Sequence, residues 1–151
     1  MKITDGGLDD FRVQTLLSYH FETASAETGR GSAHALDLRG LSSPDIQFWS
    51  AWEGGQVIAI GALKRLSEFH GEIKSMHTDR AYRRKGAGSA MLRHIIAAAR
   101  QMKLSRLSLE TGSWPYFVPA RAFYSRHGFI DCPPFGDYVP DPNSVFMTLE
   151  L

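Results

Sequence analysis

Apolar positions along the chain follow two rhythms, one helical and one extended. Residues 9–24 place Phe11, Leu16, Leu17 and Phe21 on one helical stripe behind Asp9, a capping residue type. Residues 86–102 repeat that rhythm with Met91, Leu92, Ile95, Ile96 and Ala99 on one face. A short helix is predicted over 119–126, stopped by Gly128. Extended patterns lie between these. Residues 1–4 form a short edge strand, and 46–52 and 56–66 are apolar, partly β-branched runs separated by Glu53-Gly54-Gly55, a hairpin signal. Further strands are predicted over 72–78, entered through Gly71; over 104–111, closing on Glu110 before Gly112; and over 144–151. Residues 131–141 hold Pro133, Pro134 and Gly136 and predict an irregular or bulged strand. Residues 25–45, rich in serine, glycine and threonine, predict loop with a short helix. The order β-α-(α)-β-β-β-α-β-α-β-β predicts a mixed α/β sheet.

Composition narrows this. At 151 residues and 43% hydrophobic content the chain suits one domain, 1–151, with a real core. The net charge of +1 gives no global signal for nucleic acid or a membrane, and the longest purely apolar run, 95–99, is far too short to span a bilayer. Cys132 is the only cysteine, so no internal disulfide can form, which fits a reducing compartment. With no apolar segment over residues 1–10, a cytoplasmic protein is expected. The six histidines show no paired metal-ligand spacing, so no metal is expected.

Chemistry concentrates at Arg83-Arg84-Lys85-Gly86-Ala87-Gly88-Ser89, a basic glycine-bearing loop running into the helix over 86–102. A helix start offers unpaired N–H groups and partial positive charge, and glycines let a phosphate approach them. Three accounts compete. One is a solvated basic turn. A second is a dinucleotide site, supported by the strand–glycine turn–helix order and by Glu110 further on, but Met91 stands where its third glycine belongs. A P-loop fails, because no Gly-Lys-Ser/Thr follows at the right spacing. The third account is a coenzyme A site.

For that third account the chain resembles a known family. Arg83-x-x-Gly86-x-Gly88 looks like the acetyl-CoA motif of the GNAT N-acetyltransferase superfamily; Ile73–Thr78 sits where that family has its pantetheine-binding strand; and Pro119–Phe129 is similar to its late helix, which carries a tyrosine and ends in Gly-Phe. The match covers about residues 46–151 well and 1–45 by element order. It implies a mixed, mostly antiparallel central sheet of six to seven strands flanked by about four helices. There are departures: Phe117 stands where the family often has asparagine, and Arg80 replaces a usual proline.

The resemblance also implies roles. Acetyl-CoA is the acyl donor, its pyrophosphate held by the amides around 84–89 with Arg83, Arg84 and Lys85 adding charge. Backbone groups of Met76 and Thr78 pair with pantetheine, and an N–H near Met76 or His77 polarises the acetyl carbonyl. Tyr124 is the expected general acid, since a phenol stays protonated at neutral pH. Glu72 is the expected base, with Glu110 second and His34, His70 and His77 in the right titration range. Cys132 could carry a covalent acetyl group, but no basic partner lies near it in sequence. The acceptor is expected to be the primary amine of a small molecule, flanked by 20–45 and 131–143, with His34, Glu110 and Trp114 as contacts. Trp49, Trp52 and Phe117 either floor that pocket or belong to the core. Alternatives are a protein or peptide amine, a non-catalytic acyl-CoA sensor, or a nucleotide-dependent oxidoreductase. A monomer or homodimer is expected.

Overall fold

The computed structural model describes residues 1–29 and 37–151. Seven strands form one sheet: β1 (Lys2–Asp5), β2 (Ile46–Glu53), β3 (Gln56–Arg65), β4 (His70–Thr78), β5 (Arg106–Gly112), β6 (Ile130–Asp131) and β7 (Ser144–Glu150), in the order β1-β2-β3-β4-β5-β7-β6. Four helices accompany them: α1 (Phe11–Ala26), α2 (Leu38–Leu41), α3 (Ala87–Gln101) and α4 (Val118–Arg126). No described helix is long and apolar enough to cross a membrane.

Local chemistry explains most of these elements. The β2–β3 hairpin turns on Gly54 and Gly55, whose φ angles of 56° and 76° are those of a type I′ turn. The cap of α1 is Asp10, not Asp9: its carboxylate accepts from the Arg12 N–H at 2.8 Å. The inward face of α1 carries Val13, Leu16 and Leu17, which pack on Phe48, Ile60 and Ala62 on one side of the sheet. Phe11 and Phe21 flank that face and stay exposed, at 78% and 39%. On the sheet's other side, Met91, Leu92, Ile95 and Ala99 of α3 pack on Trp49, Leu63, Leu107 and Leu109.

The expected strand over 131–141 is a correction. Only Ile130 and Asp131 pair with β7, opposite Thr148 and Met147. Pro133, Pro134 and Pro140 have no N–H to continue a ladder. The segment instead wraps over the sheet, with the Phe135 ring 5.5 Å from His70 and 5.8 Å from Phe146.

Two irregularities in β4 open the sheet. β4 is parallel to β5, and they pair only at His70/Arg106, Gly71/Leu107 and Glu72/Ser108; beyond Glu72 the strands part. Against β3, Lys74 faces Ala62 and His77 faces Ile60, so three steps on β4 match two on β3. This bulge centres on Ser75, which takes φ 53° without being glycine.

Candidate active site

The parting of β4 and β5 creates a cleft of about 760 Å³. Its walls are 72–78 of β4, 109–112 of β5, the loop before α3, the rings of Tyr116 and Phe117, α4, one side of α1 at His20 and Ala24, and Thr28 just beyond that helix.

One end of the cleft suits an anion. Arg84 (φ 64°) and Gly86 (φ 87°) are both left-handed, which turns successive N–H groups to one side. No side chain caps α3, so its first amides are available to a ligand. A Cβ on Gly86 would meet nothing within 4 Å; one on Gly88 would lie 3.2 Å from Thr78 Oγ1 and 3.6 Å from the Phe123 ring. Gly86 therefore keeps an open approach, while Gly88 lets α3 sit close to β4. Arg83, Arg84 and Ser89 line this end. Lys85 does not: its Nζ lies over the Tyr82 ring, 5.7 Å from the centroid. Ala87 is buried in the core, leaving its backbone alone to contribute.

At mid-cleft, the Ser75 bulge interrupts the β4 ladder beside Met76 and His77. The Met76 side chain turns toward α3, where its Sδ would lie 3.2 Å from a Cβ on Gly61. Tyr124 reaches the cleft from α4 between the rings of Phe123 and Phe129, at 5.3 Å and 5.6 Å. Burial pushes its hydroxyl well above the ordinary phenol value, so it stays protonated and able to donate.

The far end is a polar cluster. Glu72 is 3% exposed, so it is no solvent-edge carboxylate. Its Oε2 accepts from the Tyr138 hydroxyl at 2.6 Å and from Lys74 Nζ at 3.3 Å, and Lys74 also donates to the Tyr138 oxygen at 3.0 Å. Glu110 lies on β5 in the same cleft, and burial pushes its carboxyl up to about 7. The Ser144 hydroxyl and the Lys74 charge oppose that rise, and Glu72 and Asp141 add to it. His77 turns its side chain to α1, where its Nδ1 meets Nδ1 of His20 at 3.1 Å, so one ring donates and the other accepts. Burial holds both rings neutral, with His20 near 4 and His77 near 3.

Other candidates fall elsewhere. Trp114 does not line the cleft: it is 38% exposed and its Nε1 donates to Asn143 Oδ1 at 2.9 Å. Trp49 is core, and Trp52 lies under the Arg12 guanidinium. Phe117 does line the cleft, its ring so close to Gly112 that a Cβ there would lie 2.2 Å away. His70 bonds Ser108 Oγ at 2.7 Å outside the cleft lining. Cys132 is half-buried and outside it too, and burial raises its thiol. His34 lies outside the described residues. Among the described residues no cluster of three or more histidine, cysteine or acidic side chains could hold a metal. Sequence reasoning passed over Lys74, Tyr138, His20 and Arg126. Lys74 was findable, two residues from Glu72 and so on the same strand face; Tyr138 carries no local signal.

A sheet opened between parallel strands, with an uncapped helix start at one end, a buried phenol at mid-cleft and buried carboxyls at the other, has the layout of an acyltransferase. Its family follows from comparison with known proteins. Residues 13–129 match the model of the Acetyltransferase (GNAT) family, and the chain belongs to that family. It is 48% identical over 151 residues to an uncharacterized N-acetyltransferase of Bacillus subtilis, covering 100% of this chain and 99% of that one. An uncharacterized N-acetyltransferase of Escherichia coli is 48% identical over 139 residues, 92% of this chain and 87% of its own. Among solved structures, a Klebsiella pneumoniae protein described as an acyl-CoA N-acyltransferase superposes with a TM-score of 0.79 at 30% identity, covering 99% of this chain and 97% of its own. A GNAT family acetyltransferase from Elizabethkingia anophelis with acetyl-CoA bound shares the fold, at a TM-score of 0.72 and 15% identity over 99% of this chain and 97% of its own.

Proposed function

We propose that the protein moves the acetyl group of acetyl-CoA to the primary amine of a small molecule, by direct attack while both are bound. The observation that carries this is the cleft that brings the open, uncapped helix start at Gly86, the protonated Tyr124 hydroxyl and the Glu110 carboxyl together. Acetyl-CoA supplies an activated thioester carbonyl. The amides at the start of α3, with Arg83 and Arg84, hold its pyrophosphate. The edge of β4 that parts from β5 beyond Glu72 accepts pantetheine as an added strand, and an N–H at the Ser75 bulge polarises the acetyl oxygen.

Glu110 is the base of this proposal in preference to Glu72, whose Oε2 is already held by Tyr138 and Lys74. Near pH 7 Glu110 is available to take the amine proton as nitrogen bonds to the carbonyl carbon. Tyr124 gives its proton to sulfur as the carbon–sulfur bond breaks. A small acceptor fits the enclosure of this end by His20 and Ala24 of α1 and by the Glu72–Lys74 stretch of β4. A reducing cytoplasm suits the lone, half-buried Cys132.

Isothermal titration with acetyl-CoA, followed by thiol release over a panel of amines, tests the proposal. Saturable binding with turnover of a small amine supports it. No binding up to millimolar concentration overturns it, and tight binding without turnover of any amine makes the protein an acyl-CoA sensor.

A further inference from the structure

Burying an ion pair costs desolvation that its Coulomb attraction rarely repays in full, so a buried Glu–Lys pair beside a reactive group asks for a use. Glu72 and Lys74 are such a pair, with side chains only 4% and 10% exposed. They stand two residues apart on one face of β4. The register of Glu72 with Ser108 puts Glu110, two residues further along β5, on the matching face. Tyr138, 66 residues away in sequence, locks the pair by donating to Glu72 Oε2 at 2.6 Å and accepting from Lys74 Nζ at 3.0 Å.

We propose that Glu72, Lys74 and Tyr138 form a positioning network whose two opposite charges act on Glu110 across the β4–β5 seam and set the pH range over which it accepts the amine proton. This rests on Glu110 being the base. The groups facing Glu110 are Glu72 and Lys74 from β4, Tyr138 and Asp141 from the wrap, and Ser144 at the start of β7, while His20 of α1 lines the same cleft as a neutral ring. Glu72 and Asp141 repel a charged Glu110 and favour its protonated form; Lys74 attracts the carboxylate and favours proton release. Tyr138 is held protonated by burial and by Glu72, so it remains a donor and adds no third charge. One strand thus carries both a push and a pull on a carboxyl of its parallel neighbour, which a merely structural ion pair would not need.

The two charges have opposite signs, so removing each must move the activity profile in opposite directions. The test measures kcat/KM against pH for wild type, Glu72→Gln, Lys74→Met and Glu110→Gln, with acetyl-CoA and one accepted amine. Relative to wild type, the acid limb should fall by about one pH unit in Glu72→Gln and rise by about one in Lys74→Met. Limbs that stay put, or that move together, overturn the network while leaving Glu110 as base. An acid limb that survives in Glu110→Gln removes Glu110 as base, and one lost outright in Glu72→Gln makes Glu72 the base; either result overturns the network as well. A carboxyl-carbon NMR titration of Glu110 in wild type and in the Glu72 and Lys74 variants reads the same displacements without turnover. Gln replaces Glu72 at equal size and keeps an acceptor for Tyr138. Should Lys74→Met not fold, Lys74→Gln removes the same charge.

Discussion

Gly86→Val separates the loop's backbone role from its ligand role. Gly86 sits at φ 87°, a region that costs an L-residue about 1–2 kcal/mol. A Cβ there would touch nothing within 4 Å, so the empty protein should lose only that backbone term. For a chain of this size the loss lowers Tm by roughly 2–8 °C. Binding should suffer more. The isopropyl group would project into the open space in front of the first α3 amides, where a phosphate has to approach. Losing one charge-assisted amide–phosphate hydrogen bond, at about 1.5–3 kcal/mol, raises the acetyl-CoA Kd roughly 10- to 150-fold. Gly54→Val is the matched control: it too has a positive φ (56°) and open surroundings, but it lies in the β2–β3 turn far from the cleft lining. Calorimetric melting and isothermal titration should show similar Tm losses for both variants and weakened acetyl-CoA binding for Gly86→Val alone. Binding by Gly86→Val within about twofold of wild type would refute the phosphate seat, as would equal weakening in Gly54→Val.

Tyr124→Phe should lower turnover about 100-fold or more with acetyl-CoA affinity unchanged; turnover near wild type removes Tyr124 as the acid. Stability against pH gives an independent check on the buried groups. The folded values of His20 and His77, about 4 and about 3, lie below the ordinary 6.5, so as pH falls from 6.5 toward 4 the unfolded chain takes up protons that the folded chain refuses, and stability drops. Glu110 runs the other way: its folded value of about 7 lies above the ordinary 4.5, so stability rises as pH falls from 7 to 4.5. Two histidines outweigh one carboxyl, so urea melts should show net acid destabilisation between about pH 6.5 and pH 4.5, steeper in Glu110→Gln. A slope as shallow in Glu110→Gln as in wild type contradicts a protonated Glu110.

What could be read from the sequence was local. The Gly54-Gly55 turn, the apolar face of α3 and the basic glycine loop each act over a few neighbouring residues, and each lies where the sequence pattern places it. Helix α1 was legible as an element and its facing only in part: Leu16 and Leu17 of the predicted stripe are buried, but Phe11 and Phe21 are exposed and Val13 takes their place in the core. Over 131–141, Pro133, Pro134 and Gly136 predict an irregular or bulged strand, but those prolines remove the donors a ladder needs and strand pairing stops at Asp131. At the candidate site, the basic glycine loop at one end of the cleft was legible and the side-chain contacts at the other end were not. Tyr138 meets Glu72 across 66 residues, and His20 meets His77 across 57. Such pairs exist only once the sheet has brought α1, β4 and the wrap together. Trp114 shows the converse, an aromatic residue near the cleft in sequence that spends its indole N–H on Asn143 instead.

An open sheet ordinarily has two free edges, and each is a template on which another chain can pair and aggregate. The three-pair seam between β4 and β5 gives this sheet four among the described residues. The outer pair is blunted by length, since β1 has four residues and β6 only two. The inner pair is longer but faces itself across a cleft walled by α1 and α4. A neighbouring protein's sheet would meet α1 and α4 before it reached that edge. The fold thus keeps a strand edge, of the kind most proteins must hide, behind the two helices that wall the cleft.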